Sequence, residues 1–366
     1  MAGSPQLDLD LAVVGAGVIG LSAALAARDR GLRVRCLESA RPGSGQSAGL
    51  ARVFRHRHDE PWLVDLAVTA REAWDRWGER FGAPVIGDEG ALLVGPAEVL
   101  AAHARRFGVA GVERRIITAD EVAEILPLSA PIPAGGLLDV RGGAMRVRET
   151  VDGLAAALED DLVIAEVSGL HPDRTGAGLT VETTEGVWSA RRALVCAGAA
   201  TPRLVAPLGL VLPVSTTWHL RGTFDVRADL APTRSACLLD GGRDGGPRAY
   251  GGPTADGRRY VLGLAAGDVG AADGDAPAAA SLVPAARRTS AYVARNLPGL
   301  DPEPGDLRLC RLTRLPWGED AFAAWRAGPV TAFAGHNLFK FAPVLGPLLV
   351  DAAVGDAMPV ALRPQA

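Results

Sequence analysis

Near its start the chain reads LDLAVVGAGVIGLSAALAARDRGLRVRCLE: an apolar run, then Gly15, Gly17 and Gly20, an alanine-rich stretch of helical pattern, and a second apolar run ending in Glu38. That order predicts strand, glycine turn, helix and strand. Gly15 permits a tight turn, Gly17 lets a pyrophosphate approach the backbone, and Gly20 lets the helix pack closely on the strand. The helix N-terminus is expected to face the phosphates with free amides and a partial positive charge. Glu38 stands 18 residues beyond Gly20, where a carboxylate accepts hydrogen bonds from a ribose whose 2′ position carries no phosphate. Such a unit commits the N-terminal part to a parallel α/β sheet that binds a dinucleotide, and the motif alone does not separate FAD from NAD.

With 366 residues, 48% of them hydrophobic, the chain can bury one large core or two interleaved ones. A net charge of −4 gives no overall attraction to nucleic acid or to an anionic membrane, and neither is expected as a partner. No stretch reaches the run of about 18 apolar residues that a membrane span needs, and no signal peptide or anchor is read. Cys36, Cys196, Cys237 and Cys310 are spread singly, without metal-ligand spacing or the density of a disulfide scaffold, so the expectation is a reducing cytoplasm and no metal. No internal repeat is visible.

After the second strand comes RPGSGQSAGLARVFRHRHDEPW, polar and glycine-rich, with Arg52, Arg55, His56, Arg57 and His58 close together. A simple nicotinamide-binding unit would instead proceed to its next helix. Further on, ALVCAGAATPRL has the form of a strand returning to a cofactor, RAYGGPTADGRRYVLGLA reads as a hairpin turning at Asp256-Gly257, and LPVSTTWHLRGTFDV reads as another strand. DVGAADGDAPAAA is the most linker-like stretch. In GHNLFKFAPVLGPLLVDAA, Lys340 is the only lysine among 38 Lys and Arg residues, and a helix is expected after it with Pro343 near its first position. Where arginine serves as every other cation, a lone compact ammonium suggests a position a planar guanidinium does not fit.

These stretches, with GALLVG, ITADEVAEILP and RLCRLTRLPWGEDAF, resemble the amine-oxidising flavoproteins of the D-amino-acid oxidase superfamily. The similarity is greatest to the branch of monomeric sarcosine oxidase, N-methyltryptophan oxidase and pipecolate oxidase, and it spans nearly the whole chain. The implied fold is α/β: a Rossmann-like FAD-binding domain of glutathione-reductase type, with an inserted, mostly antiparallel substrate sheet. Expected boundaries are 1–82, 145–210 and 318–366 for the FAD domain, and 83–144 and 211–317 for the substrate domain.

The implied activity is oxidation of the C–N bond of an amine or amino acid, favouring a secondary amine or N-substituted amino acid, by hydride transfer to flavin N5. The product is an imine. By the same resemblance Gly15, Gly17, Gly20, Glu38, Ser47, Val167 and Gly198 contact FAD, Arg52 lies against the flavin ring, and Arg55 and Lys340 grip a substrate carboxylate. Taken alone, each arginine reads as a solvated or structural charge. Lys340 also belongs with the cofactor contacts, and the helix after it would aim its N-terminus at the flavin pyrimidine edge.

Cys310 matches a cysteine that attaches covalently to the flavin 8-methyl carbon; its other reading is a small buried core residue. Tyr250 matches a pocket tyrosine, whereas Glu60 and His219 could reach the pocket but read more simply as ordinary residues. Two departures stand out. Val261 occupies the position where the branch has an oxygen-activating lysine, and Arg259, two residues earlier on the same strand face, is the expected substitute, with Arg258 on the other face. GHNLFK stands where the branch has a Gly-His-Gly-Phe-Lys run, with Asn337 and Leu338 replacing the residues that let substrate and flavin approach the backbone, which implies a differently shaped pocket. The alternatives are a flavin dehydrogenase using an acceptor other than dioxygen, an NAD-dependent dehydrogenase, and a flavin-binding subunit without turnover.

Overall fold

The computed structural model describes residues 8–271, 276–318 and 320–364. Along the chain run β1 (Leu9–Val14), α1 (Val18–Asp29), β2 (Val34–Glu38), β3 (Ala51–Phe54), α2 (Pro61–Phe81), β4 (Ala91–Val94), α3 (Ala97–Val109), β5 (Arg114–Ile117), α4 (Ala119–Ile125), β6 (Gly136–Asp139), β7 (Gly143–Arg146) and α5 (Val147–Ala157). There follow β8 (Leu162–Ile164), β9 (Val167–Pro172), β10 (Leu179–Thr183), β11 (Gly186–Val195), α6 (Thr201–Val205), β12 (Ser215–Asp225), β13 (Cys237–Asp240), β14 (Ala249–Pro253), β15 (Arg259–Ala271), α7 (Ala279–Asn296), β16 (Asp306–Arg314), β17 (Phe322–Ala327), β18 (Val330–Gly335) and α8 (Ala342–Val354).

The chain divides into two compact units. The first takes the described residues of Met1–Ala48, Glu149–Thr216 and Arg311–Ala366. Its sheet is ordered β17-β18-β11-β1-β2-β8, parallel from β18 through β8, with β9 and β10 added antiparallel on β11. The central strands are buried on both faces, as LAVV and ALV suggest. Helix α1 packs on α8 through small residues: a Cβ on Gly346 would lie 2.2 Å from Ser22 Oγ, and the Ser22 hydroxyl donates to the Ala342 carbonyl at 2.7 Å.

The second unit takes Gly49–Arg148 and Thr217–Cys310. Its sheet runs β16-β12-β15-β14-β13-β4-β6-β5, and from β12 to β5 the pairings are antiparallel except β13 with β4. Alternation decides its faces: Leu220 and Phe224 of β12, Tyr260 and Leu262 of β15 and Tyr292 of α7 enter one hydrophobic core or are buried beside it, while the polar residues between them turn the other way. The expected hairpin is present, with Gly257 at φ +63° in the turn between β14 and β15. Of the stretch expected to be a linker, Asp268–Ala271 instead finishes β15, and 272–275 lie outside the described residues.

Residues 49–82, expected with the nucleotide domain, fall in the second unit. The reason is packing: β3 pairs with β7, and Val64 of α2 shares a core with Ala91, Leu93, Leu137 and Cys237. Among the described residues no helix is long and apolar enough to cross a membrane.

The α1–α8 contact is tight enough to test. Gly346→Ala forces a methyl onto the Ser22 hydroxyl and backbone, and should cost about 1–3 kcal/mol in denaturant unfolding. Gly45→Ala, where an added Cβ meets nothing within 4 Å, should stay within about 0.5 kcal/mol. Equal stabilities for the two variants would contradict the packing described.

Candidate functional site

In the first unit the glycine turn is built as the spacing predicts. Gly15 sits at φ +100°, and a Cβ there would lie 2.7 Å from the Cys196 carbonyl oxygen of the neighbouring strand end. A Cβ on Gly20 would lie 1.9 Å from the Gly15 carbonyl oxygen, so only glycine lets α1 begin this close to the turn. The amides are less open than expected. Gly17, the N-cap of α1, has no side chain to cap with, and Ser47 does it instead: the Val18 N–H donates to Ser47 Oγ at 2.9 Å. The Ala16 N–H donates to Glu38 Oε2 at 2.6 Å, which holds that carboxylate at the turn from the end of β2.

Gly198, at φ +57°, follows β11, and a Cβ there would lie 2.7 Å from Gln46 Oε1. Gln46, which the sequence did not single out, is fixed by donating to the Arg311 carbonyl at 2.7 Å and to Thr313 Oγ1 at 2.9 Å. Gly15, Gly17, Gly20, Glu38, Ser47 and Gly198 thus converge from β1, α1, β2 and the end of β11. Val167 opens β9 of the same sheet with its side chain in the core. This is a backbone-lined cradle with a carboxylate at its rim, and it fits a dinucleotide.

Lys340 lies in the turn that leads directly into α8 and is 2% exposed. Its Nζ donates to the Asn337 carbonyl at 2.7 Å, lies 3.4 Å from Asp320 Oδ1 and stands 4.7 Å from the centre of the Phe341 ring. Asn337 Nδ2 donates to the same Asp320 oxygen at 2.5 Å. Asn337 and Asp320 have φ of +57° and +60°, and Asn and Asp are the non-glycine residues that best tolerate that conformation. Asn337 therefore keeps the backbone shape a glycine would give while adding an amide that braces Asp320. A buried carboxylate beside the ammonium was not expected from the sequence.

In the second unit Arg52, Tyr250 and Cys310 come together, joined by Arg221. Cys310 is buried on β16 and its sulfur accepts from Arg221 Nη2 at 2.9 Å. Burial, with Arg221 adding to it, holds the Arg52 guanidinium down to about 9, against the opposing pull of Cys310 and Tyr250. Burial pushes the Tyr250 hydroxyl up, against Arg221. The sequence carries a signal for Arg221: in WHLRGTF, His219, Arg221 and Thr223 alternate with Leu220, Gly222 and Phe224, which marks a polar strand face.

Other expected residues lie elsewhere. Arg55 is half-buried and donates to the Arg57 carbonyl, near His103, whose imidazole burial and Arg57 hold down to about 4. His56 is structural: its N–H and its Nδ1 both bond the wholly buried Asp139, at 2.7 and 2.9 Å. Arg259 sits at the hairpin end of β15, paired with Asp225, four residues or about 13 Å along the strand from Gly263, the partner of Tyr250. It does not join the cluster. Val261 is half-buried between Thr223 and Gly252. Glu60 is exposed at the start of α2.

Comparison with known proteins agrees in extent with this geometry. The chain is 27% identical to human (Homo sapiens) peroxisomal sarcosine oxidase over 376 aligned residues, covering 94% of this chain and 92% of that protein. It is 25% identical to N-methyl-L-tryptophan oxidase of Salmonella dublin, covering 98% of each. Among solved structures, NikD, described as an unusual amino acid oxidase essential for nikkomycin biosynthesis, superposes with a TM-score of 0.82 at 22% identity and 98% coverage of both chains. Glycine oxidase from Geobacillus kaustophilus gives 0.78 at 21% identity, covering 97% of this chain and 96% of that one. The profile of the FAD dependent oxidoreductase family matches residues 10–352, and the chain belongs to that family of enzymes.

Proposed function

We propose that this enzyme oxidises the C–N bond of a small carboxylated amine, a secondary amine or N-substituted amino acid being the favoured class, to the imine. FAD supplies the hydride acceptor when bound. The chain's own part is to hold the cofactor and to orient the substrate. The observation that carries the reading is Lys340: the only lysine of the chain, buried at the entry to α8 and held in place by Asn337 and Asp320. Sarcosine oxidase, N-methyl-L-tryptophan oxidase and glycine oxidase as relatives or fold neighbours support an amine or amino acid as substrate.

In this reading the Gly15–Gly20 turn takes the pyrophosphate, Glu38 the ribose, and Arg52 the flavin ring, with Ser47, Val167 and Gly198 completing the cradle. Lys340 takes the substrate carboxylate and Arg55 assists it. Cys310 is the attachment point for a covalent flavin, its sulfur held by a hydrogen bond from the Arg221 guanidinium. Four free, buried cysteines support a reducing compartment such as the cytoplasm.

A second reading, a dehydrogenase passing electrons to an acceptor other than dioxygen, is favoured by one observation. Val261 offers no charge, and Arg259 stands at the hairpin end with Asp225 across from it. Family membership leaves no place for the NAD-dependent and non-catalytic alternatives.

Three measurements follow. Anaerobic addition of N-methylated and cyclic amino acids should bleach the flavin band of the purified yellow protein; no bleaching by any amine would reject the reading. Binding should then split by variant: Lys340→Met weakens a carboxylate ligand about 10- to 100-fold, whereas Asp320→Asn, which removes a competing carboxylate, strengthens it. Weakening by both would mean that Asp320 serves the ligand rather than competing with it. Acid precipitation should leave flavin in the pellet for the parent and release it for Cys310→Ala; release from both would make Cys310 a core residue.

A further inference from the structure

The second unit contains a line of three titratable side chains that the reading above does not use in full. His219 of β12 is 4% exposed; its Nδ1 lies 3.0 Å from Asp268 Oδ1 and its Nε2 2.9 Å from the Tyr250 hydroxyl. Strand register produces the alignment. Arg221 pairs with Gly263 but His219 pairs with Asp268, so β15 carries extra residues against β12, and the bulge turns Asp268 onto the imidazole.

Two glycines of β15 clear the space. A Cβ on Gly263 would lie 2.7 Å from the Tyr250 hydroxyl oxygen, and one on Gly267 would lie 2.8 Å from His219 Cε1. At its outer end the Asp268 side chain, 35% exposed, lines an open cleft of about 480 Å³ with Gly270, Ser281, Pro284 and Arg288.

The bonding fixes the proton positions. A carboxylate only accepts, so Nδ1 donates to Asp268, and in the neutral imidazole Nε2 then presents its lone pair to the tyrosine O–H. Around Tyr250 stand Arg221 and His219 of β12, Arg52 of β3, Cys310 of β16 and Asp268 of β15, with Arg308 of β16 near Arg52. Burial opposes a lasting tyrosinate, so Tyr250 suits the passing of a proton better than the holding of one.

We propose that Asp268, His219 and Tyr250 form a proton relay that takes up the ammonium proton an amine must lose before its C–H bond is oxidised; this rests on the function proposed above. The substrate N–H bond breaks and its proton goes to the Tyr250 oxygen, while the tyrosine O–H proton goes to His219 Nε2. The substrate becomes neutral and the imidazole becomes an imidazolium, held by the ionised Asp268. Charge balances without any other reagent. Tyr250 meets the substrate, and His219 and Asp268 act through it.

The test is the rate of anaerobic flavin reduction by an N-methylated amino acid between about pH 6 and pH 10. His219→Gln should lose about 100-fold near neutral pH and recover as the amine deprotonates by itself near pH 10. Asp268→Asn should lower the plateau and move the acid limb to lower pH, because the imidazolium loses its partner and gives up its proton more readily. An equal loss at every pH would mark a structural role and overturn the relay.

Nitrogen NMR of the resting holoenzyme decides the wiring without turnover. His219 should show a protonated Nδ1 and an unprotonated Nε2 whose signal shifts in Tyr250→Phe; a protonated Nε2 overturns the relay even in an enzyme that oxidises amines. Failure of every amine to reduce the flavin counts against the function, while this spectrum, which needs no substrate, separately supports or overturns the relay.

Discussion

At the start of α1 the helix lies so near the turn that precedes it that Gly20 and the Gly15 carbonyl leave no room for a single methyl group. The geometry of the glycine turn follows from that approach. It brings the helix N-terminus to the ends of β1 and β11, and it lets Ser47 reach the Val18 amide and Glu38 the Ala16 amide. The same helix carries Ser22 and presses it against Gly346 of α8, so the turn and the helix that follows Lys340 are braced by one pair of small-residue contacts.

Charge is organised differently in the two units. In the first, the lysine is matched by a buried carboxylate and braced by an asparagine in the left-handed conformation, so the ammonium is already oriented. In the second, two guanidiniums share one neighbourhood with a thiol and a phenol; burial works against both, but Cys310 and Tyr250 outweigh it at Arg221 and not at Arg52. Buried groups of this kind cluster where chemistry is done.

How much of this could be read beforehand depended on the range of the interaction. The glycine turn, the hairpin at Asp256-Gly257 and the helix at Pro343 are written in neighbouring residues, and each stands where the sequence puts it. The polar face of β12 was also legible, as a two-residue alternation. Asp320 was not, because 20 residues separate it from Lys340 and it is the pairing of β17 with β18, Phe322 opposite Gly335, that brings the two ends together. Nor was the Asp268–His219 contact, which depends on a bulge in β15 that no local pattern announces. Residues 49–82 went to the second unit because β3 finds its partner in β7, 90 residues on.

We propose that a single buried ammonium, Lys340, reads the acid group of an amine substrate. The most direct measurement compares anaerobic flavin reduction by an N-methyl amino acid with reduction by its carboxamide, which has the same shape and the same C–N bond but no negative charge. The account predicts that the acid reacts and that the amide loses about two orders of magnitude in apparent affinity. Equal rates and equal affinities for the two would contradict it.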